Sequence, residues 1–263
     1  MFTFNLLQTS TWKTSANYGT NDAQEADVGE EGIPRQSTRE KLVLDECGVK
    51  ATHYIKNFVD YTNPQNLIVS TTSRFNILNN DLSGYQAIVN IQRINNIRRI
   101  NKFFEATNEM LQYDGLFIGA VETYKLRKKR ILNKFPAGFN WMFYTLDFII
   151  KRVFPKLKPT QKIYFLLTRG HNRVLSTAES FGRLYSCGFE LHDTKIIDGM
   201  LYFVARKKGK PAFDYNPTYG PLVKLNRIGK DGKFIKVYKM RTMHAYSEYL
   251  QEYIYNNNKL KEG

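Results

Sequence analysis

The chain has 263 residues, enough to bury the core of one sizeable domain with a small appended unit. Hydrophobic residues make up 42% of the sequence and aromatic residues 14%, which fits a globular protein and not a disordered one. The net charge of +15 predicts an acidic partner: nucleic acid, an anionic membrane surface or a phosphorylated small molecule.

The sequence predicts a cytoplasmic protein that can still lie peripherally on the inner face of a bacterial membrane. No segment resembles a signal peptide, and none approaches the roughly 20 apolar residues of a spanning helix. Cys47 and Cys187 match no zinc or redox spacing and are interpreted as reduced, buried thiols. No pair of the four histidines has metal-binding spacing.

Residues 1–40 are predicted to form a flexible arm, because residues 9–40 are polar and carry an acidic patch. Beyond them, apolar segments alternate with amphipathic helices. Four runs are predicted as strands: Leu67–Thr72, Gln86–Ile91, Leu116–Val121 and Met200–Ala205. Helices are predicted at His53–Tyr61, from Asn96 to Asp114-Gly115, and after Ser176, where Glu179 completes a capping box. The alternation predicts an α/β domain over residues 41–210.

The order of these elements is similar to the C-terminal half of a class I methyltransferase-like, Rossmann-like fold. The matching segments are Asp114–Gly119 and Tyr185–Glu190. Such enzymes carry a glycine-rich turn after their first strand, close to the cofactor. The nearest counterpart, Val43–Gly48, has one glycine where the family places about three. It is therefore interpreted as a strand-to-loop transition, with S-adenosylmethionine binding as the alternative.

A basic and aromatic segment occupies the middle of the chain. The cationic run Lys125–Lys134 precedes the apolar run Phe139–Ile150, and further cations follow from Lys151 to Lys162. This pattern is typical of a helix lying in a membrane interface. A helix packed on the sheet with a solvated basic edge shows the same pattern and is the commoner case. Asp147 within the apolar run argues against spanning, and no RNA-binding signature is present.

Glu122 follows the third apolar strand directly. The sequence leaves two interpretations open. Its carboxylate can point into a cleft at the carboxyl edge of the sheet, or it can cap the element that follows.

The tail is predicted to form a basic β-hairpin followed by a C-terminal helix. Residues 214–221 are turn-rich, and two strand-like runs then flank Gly229–Gly232, whose Asp-Gly pair is a strong hairpin signal. Between Gly220 and Met243 there are seven lysines or arginines and one acid. A hairpin this basic is suited to holding phosphate, because arginine supplies a fork of donors and lysine a point charge.

The order Gly-Pro, Arg-x-Gly-Lys-x-Gly-Lys, Tyr-Lys-x-Arg-Thr-Met resembles the opening motif of the bacterial sugar transferase family. Its members transfer a sugar phosphate from a nucleotide sugar to a membrane polyprenyl phosphate in polysaccharide biosynthesis. The resemblance implies that residues 211–263 are the N-terminal fragment of such a domain. It implies phosphate- or substrate-binding roles for four cations, Arg227, Lys236, Lys239 and Arg241, and turn roles for Gly229 and Gly232.

Two features depart from that family. The place of its membrane-inserted hairpin holds Lys207, Lys208 and Lys210, and its catalytic Asp-Glu pair has no counterpart before Gly263. No catalytic residue is therefore assigned, and the chain is expected to be inactive.

Mg²⁺ is expected for the complete family enzyme, with no ligands identifiable here. The expected partners are a nucleotide sugar or polyprenyl phosphate and an anionic membrane surface, without nucleic acid. The alternatives are a methyltransferase-like protein and a non-catalytic scaffold.

Overall fold

A computed structural model of the protein describes residues 38–80, 83–212 and 222–258. The predicted arm thus lies outside the described residues, apart from 38–40, which begin the first helix. The α-helices are α1 Thr38–Cys47, α2 Val49–Lys56, α3 Phe75–Leu78, α4 Ile100–Met110, α5 Tyr124–Lys134, α6 Phe139–Phe148, α7 Lys158–Thr168, α8 Thr177–Ser186 and α9 Gln251–Asn258. The strands are β1 Asn66–Val69, β2 Tyr85–Asn90, β3 Leu111–Val121, β4 Phe189–Ile197, β5 Met200–Lys207, β6 Leu222–Ile228 and β7 Phe234–Met240.

Five strands form one mixed sheet in the order β1-β2-β3-β5-β4. The first three are mutually parallel, and β5 runs antiparallel to both β3 and β4. Four of the five strands therefore share one direction, and the fifth is reversed between two of them. This arrangement, with helices joining the parallel strands, confirms the predicted α/β, Rossmann-like sheet.

The sheet is buried on both faces because neighbouring residues of a strand point in opposite directions. On β3, Phe117 belongs to a core rich in phenylalanine, whereas Ile118 belongs to the core on the other face. Side chains of α4 and α8 fill the first core, and those of α2 fill the second. Such two-sided coverage explains why the central strands read as continuous apolar runs.

Two local sequence interpretations were wrong. Val43–Gly48 is neither a strand end nor a cofactor turn, since Val43 to Cys47 complete α1 and Gly48 separates it from α2 with a φ of 79°. Asp114-Gly115 does not end a helix but lies inside β3, with Asp114 at a φ of 62°. In both places the glycine correctly indicated a bend in the backbone, but the secondary structure next to it was predicted wrongly.

The predicted hairpin is present as β6 and β7, which pair along their whole length and, among the described strands, only with each other. Gly229 precedes the turn, and Asp231 and Gly232 occupy it with φ angles of 61° and 74°. The predicted C-terminal helix begins as a 3₁₀ turn at Ser247–Leu250 and continues as α9.

The segment between the hairpin and α9 is fastened to the sheet domain. Ala245, Tyr246 and Leu250 are buried. The hydroxyl oxygen of Tyr246 accepts a hydrogen bond from Asn101 Nδ2 of α4 at 3.1 Å, and the Arg183 guanidinium of α8 lies 4.4 Å from the centre of its ring. The backbone of Tyr246 also approaches Gly182 so closely that a Cβ atom at Gly182 would overlap the Tyr246 carbonyl oxygen.

Replacing Gly182 by alanine is expected to lower the free energy of unfolding by about 1–3 kcal/mol, because the added methyl group meets backbone that must shift. Denaturant unfolding measures the effect. Gly209→Ala is the matched control, since a Cβ atom there meets nothing within 4 Å. Equal stability of the two variants would contradict the close packing of the tail on α8.

Candidate functional site

A cavity of about 920 Å³ lies among the start of α4, the segment from Pro155 through α7, and α8. We call it the cationic pocket, because eight lysines or arginines and two carboxylates line it among the residues that the structure describes. The cations are Arg98, Arg99, Lys102, Lys156, Lys162, Arg169, Arg173 and Arg183. The carboxylates are those of Glu105 and Glu179. Such an excess of one charge favours an anionic ligand.

The cationic pocket begins near the carboxyl ends of the parallel strands. The loop after β2 leads to Arg98 at its edge, and Thr123, just beyond β3, forms a parallel bridge with Leu175 in the pocket wall. Asn95 connects these segments, because its side-chain amide donates to the carbonyl oxygens of Glu122 and Arg173, both at 2.8 Å. In open α/β sheets this edge is the usual place for a ligand.

Glu179 is the anionic centre of the pocket wall and is only 2% exposed. The Ser176 hydroxyl accepts from the Glu179 amide at 3.0 Å, as the predicted capping box requires. The Glu179 carboxylate, however, contacts cations instead of returning to the helix start: Lys156 at 3.0 Å, Arg183 at 3.1 Å and Arg152 at 3.6 Å. Burial alone would raise the pKa of Glu179, but these cations lower it to about 2.

Arg173 contributes to an excess of positive charge among the described residues of the pocket. Burial, followed by the nearby Arg183, lowers the pKa of Arg173 to about 10. Its guanidinium donates to the backbone carbonyl oxygens of Ile97 and Arg98, and its Nε has no hydrogen-bond partner among the described residues. The pKa of Lys156 is lowered as well, mainly by burial. One carboxylate, that of Glu179, is therefore shared among more cations than it can neutralise.

Glu122 belongs to a separate ion network and not to an open cleft. Its carboxylate contacts Arg130 at 2.6 Å, Arg127 at 3.0 Å and Arg93 at 3.5 Å, and Arg127 also pairs with Asp147 at 2.6 Å. These groups satisfy one another and connect β3 to α5 and α6. The following residue, Thr123, caps α5 by accepting from the Leu126 amide at 3.4 Å. The Glu122 carboxylate therefore neither points into a cleft nor caps the next element; it holds β3 to α5 through its arginine partners.

The four predicted phosphate-binding cations of the tail do not converge. Cross-strand pairing places Arg227 and Lys239 on one face of the hairpin and Lys236 on the other. On their shared face, Arg227 and Lys239 lie about 13 Å apart along the strands. Arg241 follows β7 and is half-buried. Their role in ligand binding stays a prediction.

The cationic pocket is the feature that the sequence interpretation missed. Its cations come from three segments spread over residues 98–183. Arg98-Arg99 with Lys102 was a visible local signal, but nothing in the sequence connects these residues with Arg173 or Arg183. No group of three or more histidine, cysteine, aspartate or glutamate side chains lies together among the described residues.

Comparison with known proteins identifies no relative of this chain that carries an argument about its fold or function. No protein-family model and no curated protein matches the sequence. Two solved structures match 51% of this chain with a TM-score of 0.30: a candidate exported protein of Bordetella parapertussis, at 13% identity over 42% of its length, and a candidate methyltransferase of Bacillus halodurans, at 10% identity over 69%. The chain thus spans less than half of the Bordetella protein. Likeness at this level carries no functional argument, and the fold class is assigned on the sheet topology.

Glu179→Gln is expected to lower the free energy of unfolding at pH 7 by about 3–5 kcal/mol, because buried cations lose their counter-charge. The folded-state pKa of Glu179, about 2, lies below its ordinary value of 4.5. Its stabilisation is therefore complete above about pH 4.5 and is lost as the pH falls toward 2.

Denaturant unfolding of both proteins between pH 7 and pH 2 measures this difference. Glu190→Gln removes an exposed carboxylate and serves as the control. A difference between wild type and Glu179→Gln that stays constant down to pH 2 would contradict the assignment.

Proposed function

We propose that this chain binds the phosphate groups of a nucleoside diphosphate, such as that of a nucleotide sugar, in the cationic pocket. The observation that carries the proposal is the imbalance of eight cations against two carboxylates around a cavity of about 920 Å³. That volume is within the range of small-molecule sites. A diphosphate supplies the negative charge that the pocket wall lacks.

The arrangement of donors suits a diphosphate. α4 begins at the pocket, and within the described residues no capping side chain competes with a phosphate oxygen for its first amide groups. Phe165 positions two guanidinium groups beside this helix start, since those of Arg98 and Arg173 lie 5.3 and 5.7 Å from its ring centre. Guanidinium forks bind phosphate oxygens in pairs, which adds geometric selectivity to charge.

The tail connects this pocket to the sugar transferase resemblance. Tyr246 and Tyr249 line the pocket, and they follow directly on the Tyr238–Met243 motif. Ligand held here would lie against the segment that carries the resemblance. This proximity supports a role in sugar-phosphate transfer to a polyprenyl carrier, in which these residues bind and orient the donor. We assign no residue of this chain to the chemical step.

The sheet order favours a second candidate, methyl transfer, because the reversed β5 between β3 and β4 is typical of methyltransferase-like sheets. Two observations weigh against it. The loop after β1, Ser70–Arg74, contains no glycine, so backbone cannot approach a cofactor as the family pattern requires. S-adenosylmethionine also carries a sulfonium cation, which the cationic pocket would repel.

Isothermal titration calorimetry with UDP, pyrophosphate and S-adenosylmethionine tests the proposal. We expect saturable UDP binding that weakens with rising salt, and none of S-adenosylmethionine. Arg99→Gln combined with Lys162→Gln should weaken UDP binding at least tenfold, because each charged hydrogen bond contributes about 1.5–3 kcal/mol.

Two matched double variants control for the loss of charge. Lys41→Gln with Lys50→Gln removes the same charge from exposed positions of α1 and α2, and we expect unchanged UDP affinity. Arg227→Gln with Lys239→Gln removes it from one face of the hairpin. A larger loss of affinity in the hairpin variant than in the pocket variant would place the phosphate site on the hairpin. Absence of UDP binding would overturn the proposal and favour a non-catalytic scaffold.

A further inference from the structure

Helix α6 contacts the protein through Asp147 and Phe143 and turns an apolar side outward. Asp147 accepts two hydrogen bonds from Arg127 of α5, at 2.6 and 2.8 Å, and Phe143 stacks on Phe135 with ring centres 4.3 Å apart. None of its ten residues is buried. A surface helix of a globular protein normally does the reverse.

The outward side of α6 is a continuous apolar stripe. Its members recur at helical spacing and are 40–63% exposed: Phe139, Met142, Leu146 and, directly after the end of α6, Ile149. A second stripe on α7 is 61–80% exposed and consists of Ile163, Leu166 and Leu167. We call the two stripes together the α6–α7 surface. So much exposed apolar area on two α-helices that follow one another in the chain marks an interaction site.

The charge around the α6–α7 surface identifies the class of partner. Residues 123–170 contain twelve lysines or arginines and one acid, Asp147, which is already paired with Arg127. Lys128 places its ammonium group 4.4 Å from the ring centre of Trp141, at the border of the stripe. Apolar stripes framed by cations are complementary to a surface that is apolar inside and anionic outside, which is an anionic lipid bilayer.

We propose that the α6–α7 surface lies in the interface of an anionic membrane, parallel to its plane. Helix α6 is about 15 Å long, half the thickness of the hydrocarbon core. Within the described residues, no helix is both long and apolar enough to cross a membrane. The stripes enter the boundary between headgroups and acyl chains, and the flanking cations contact lipid phosphates.

This placement also orients the cationic pocket. On α7, Lys162 and Phe165 line the pocket, while Ile163 and Leu167 belong to the exposed stripe and Leu166 to both. One helix thus forms pocket wall and membrane surface together, so the pocket opens beside the bilayer. The membrane proposal rests on exposure and charge alone, however, and is independent of what the pocket binds.

Flotation with lipid vesicles tests the proposal on the full chain. We expect binding to vesicles rich in phosphatidylglycerol and at least tenfold weaker binding to phosphatidylcholine vesicles or in high salt. Met142→Gln with Leu146→Gln should reduce binding at least tenfold. Val49→Gln with Phe75→Gln, at exposed apolar positions of α2 and α3, should leave it unchanged.

Trp141 reports its own environment, because the sequence contains only one other tryptophan, Trp12. In a Trp12→Phe background, we expect a blue shift of Trp141 emission on anionic vesicles and quenching by brominated acyl chains. Vesicle binding without quenching of Trp141 would overturn the proposal. So would a dimer, detected by light scattering, that Met142→Gln with Leu146→Gln dissociates, since a second copy would then cover the surface.

Discussion

The rest of the site depends on one buried anion, the carboxylate of Glu179. A charge with 2% exposure is stable only when cations surround it, and Arg152, Lys156 and Arg183 do so from two separate segments of the chain. Arg183 also lies near Arg173, whose pKa is lowered to about 10 by burial first and by the charge of Arg183 second. Glu179 therefore assembles a positive wall that it cannot itself neutralise. A site in that condition is prepared for an anionic ligand.

The sequence predicted what local rules control. β-branched runs identified β1 to β3, Ser176 marked the start of α8, and Asp231-Gly232 marked the hairpin turn. Local rules failed at Gly48 and Gly115, because a glycine there indicates a backbone bend but not whether a helix or a strand adjoins it. They also failed at Glu179. Its capping-box spacing correctly predicted the start of the helix, but its carboxylate contacts Arg152, Lys156 and Arg183 instead of the helix start. Burial made ion pairing more favourable than a second capping bond. The pocket itself arises from contacts between residues about 80 positions apart, which no spacing rule detects.

The cationic pocket, the tail and the α6–α7 surface form a consistent arrangement. Tyr246 joins the tail to α4 and α8 at the pocket, and α7 joins the pocket to the exposed apolar stripes. A protein that brings a phosphorylated donor to a lipid-borne acceptor needs these three features side by side. Methyl transfer requires neither the excess of cations nor the outward apolar helix. These features are the reason for which we propose sugar-phosphate transfer ahead of methyl transfer.

The central claim is that the cationic pocket, and not the hairpin, holds the phosphate groups of the ligand. Hydrogen–deuterium exchange of the full chain with and without UDP tests it most directly, because exchange locates binding along the sequence. We expect slower exchange of backbone amides at the start of α4, residues 100–103, and around residues 173–183. Protection confined to residues 227–241, or none at saturating UDP, would contradict it.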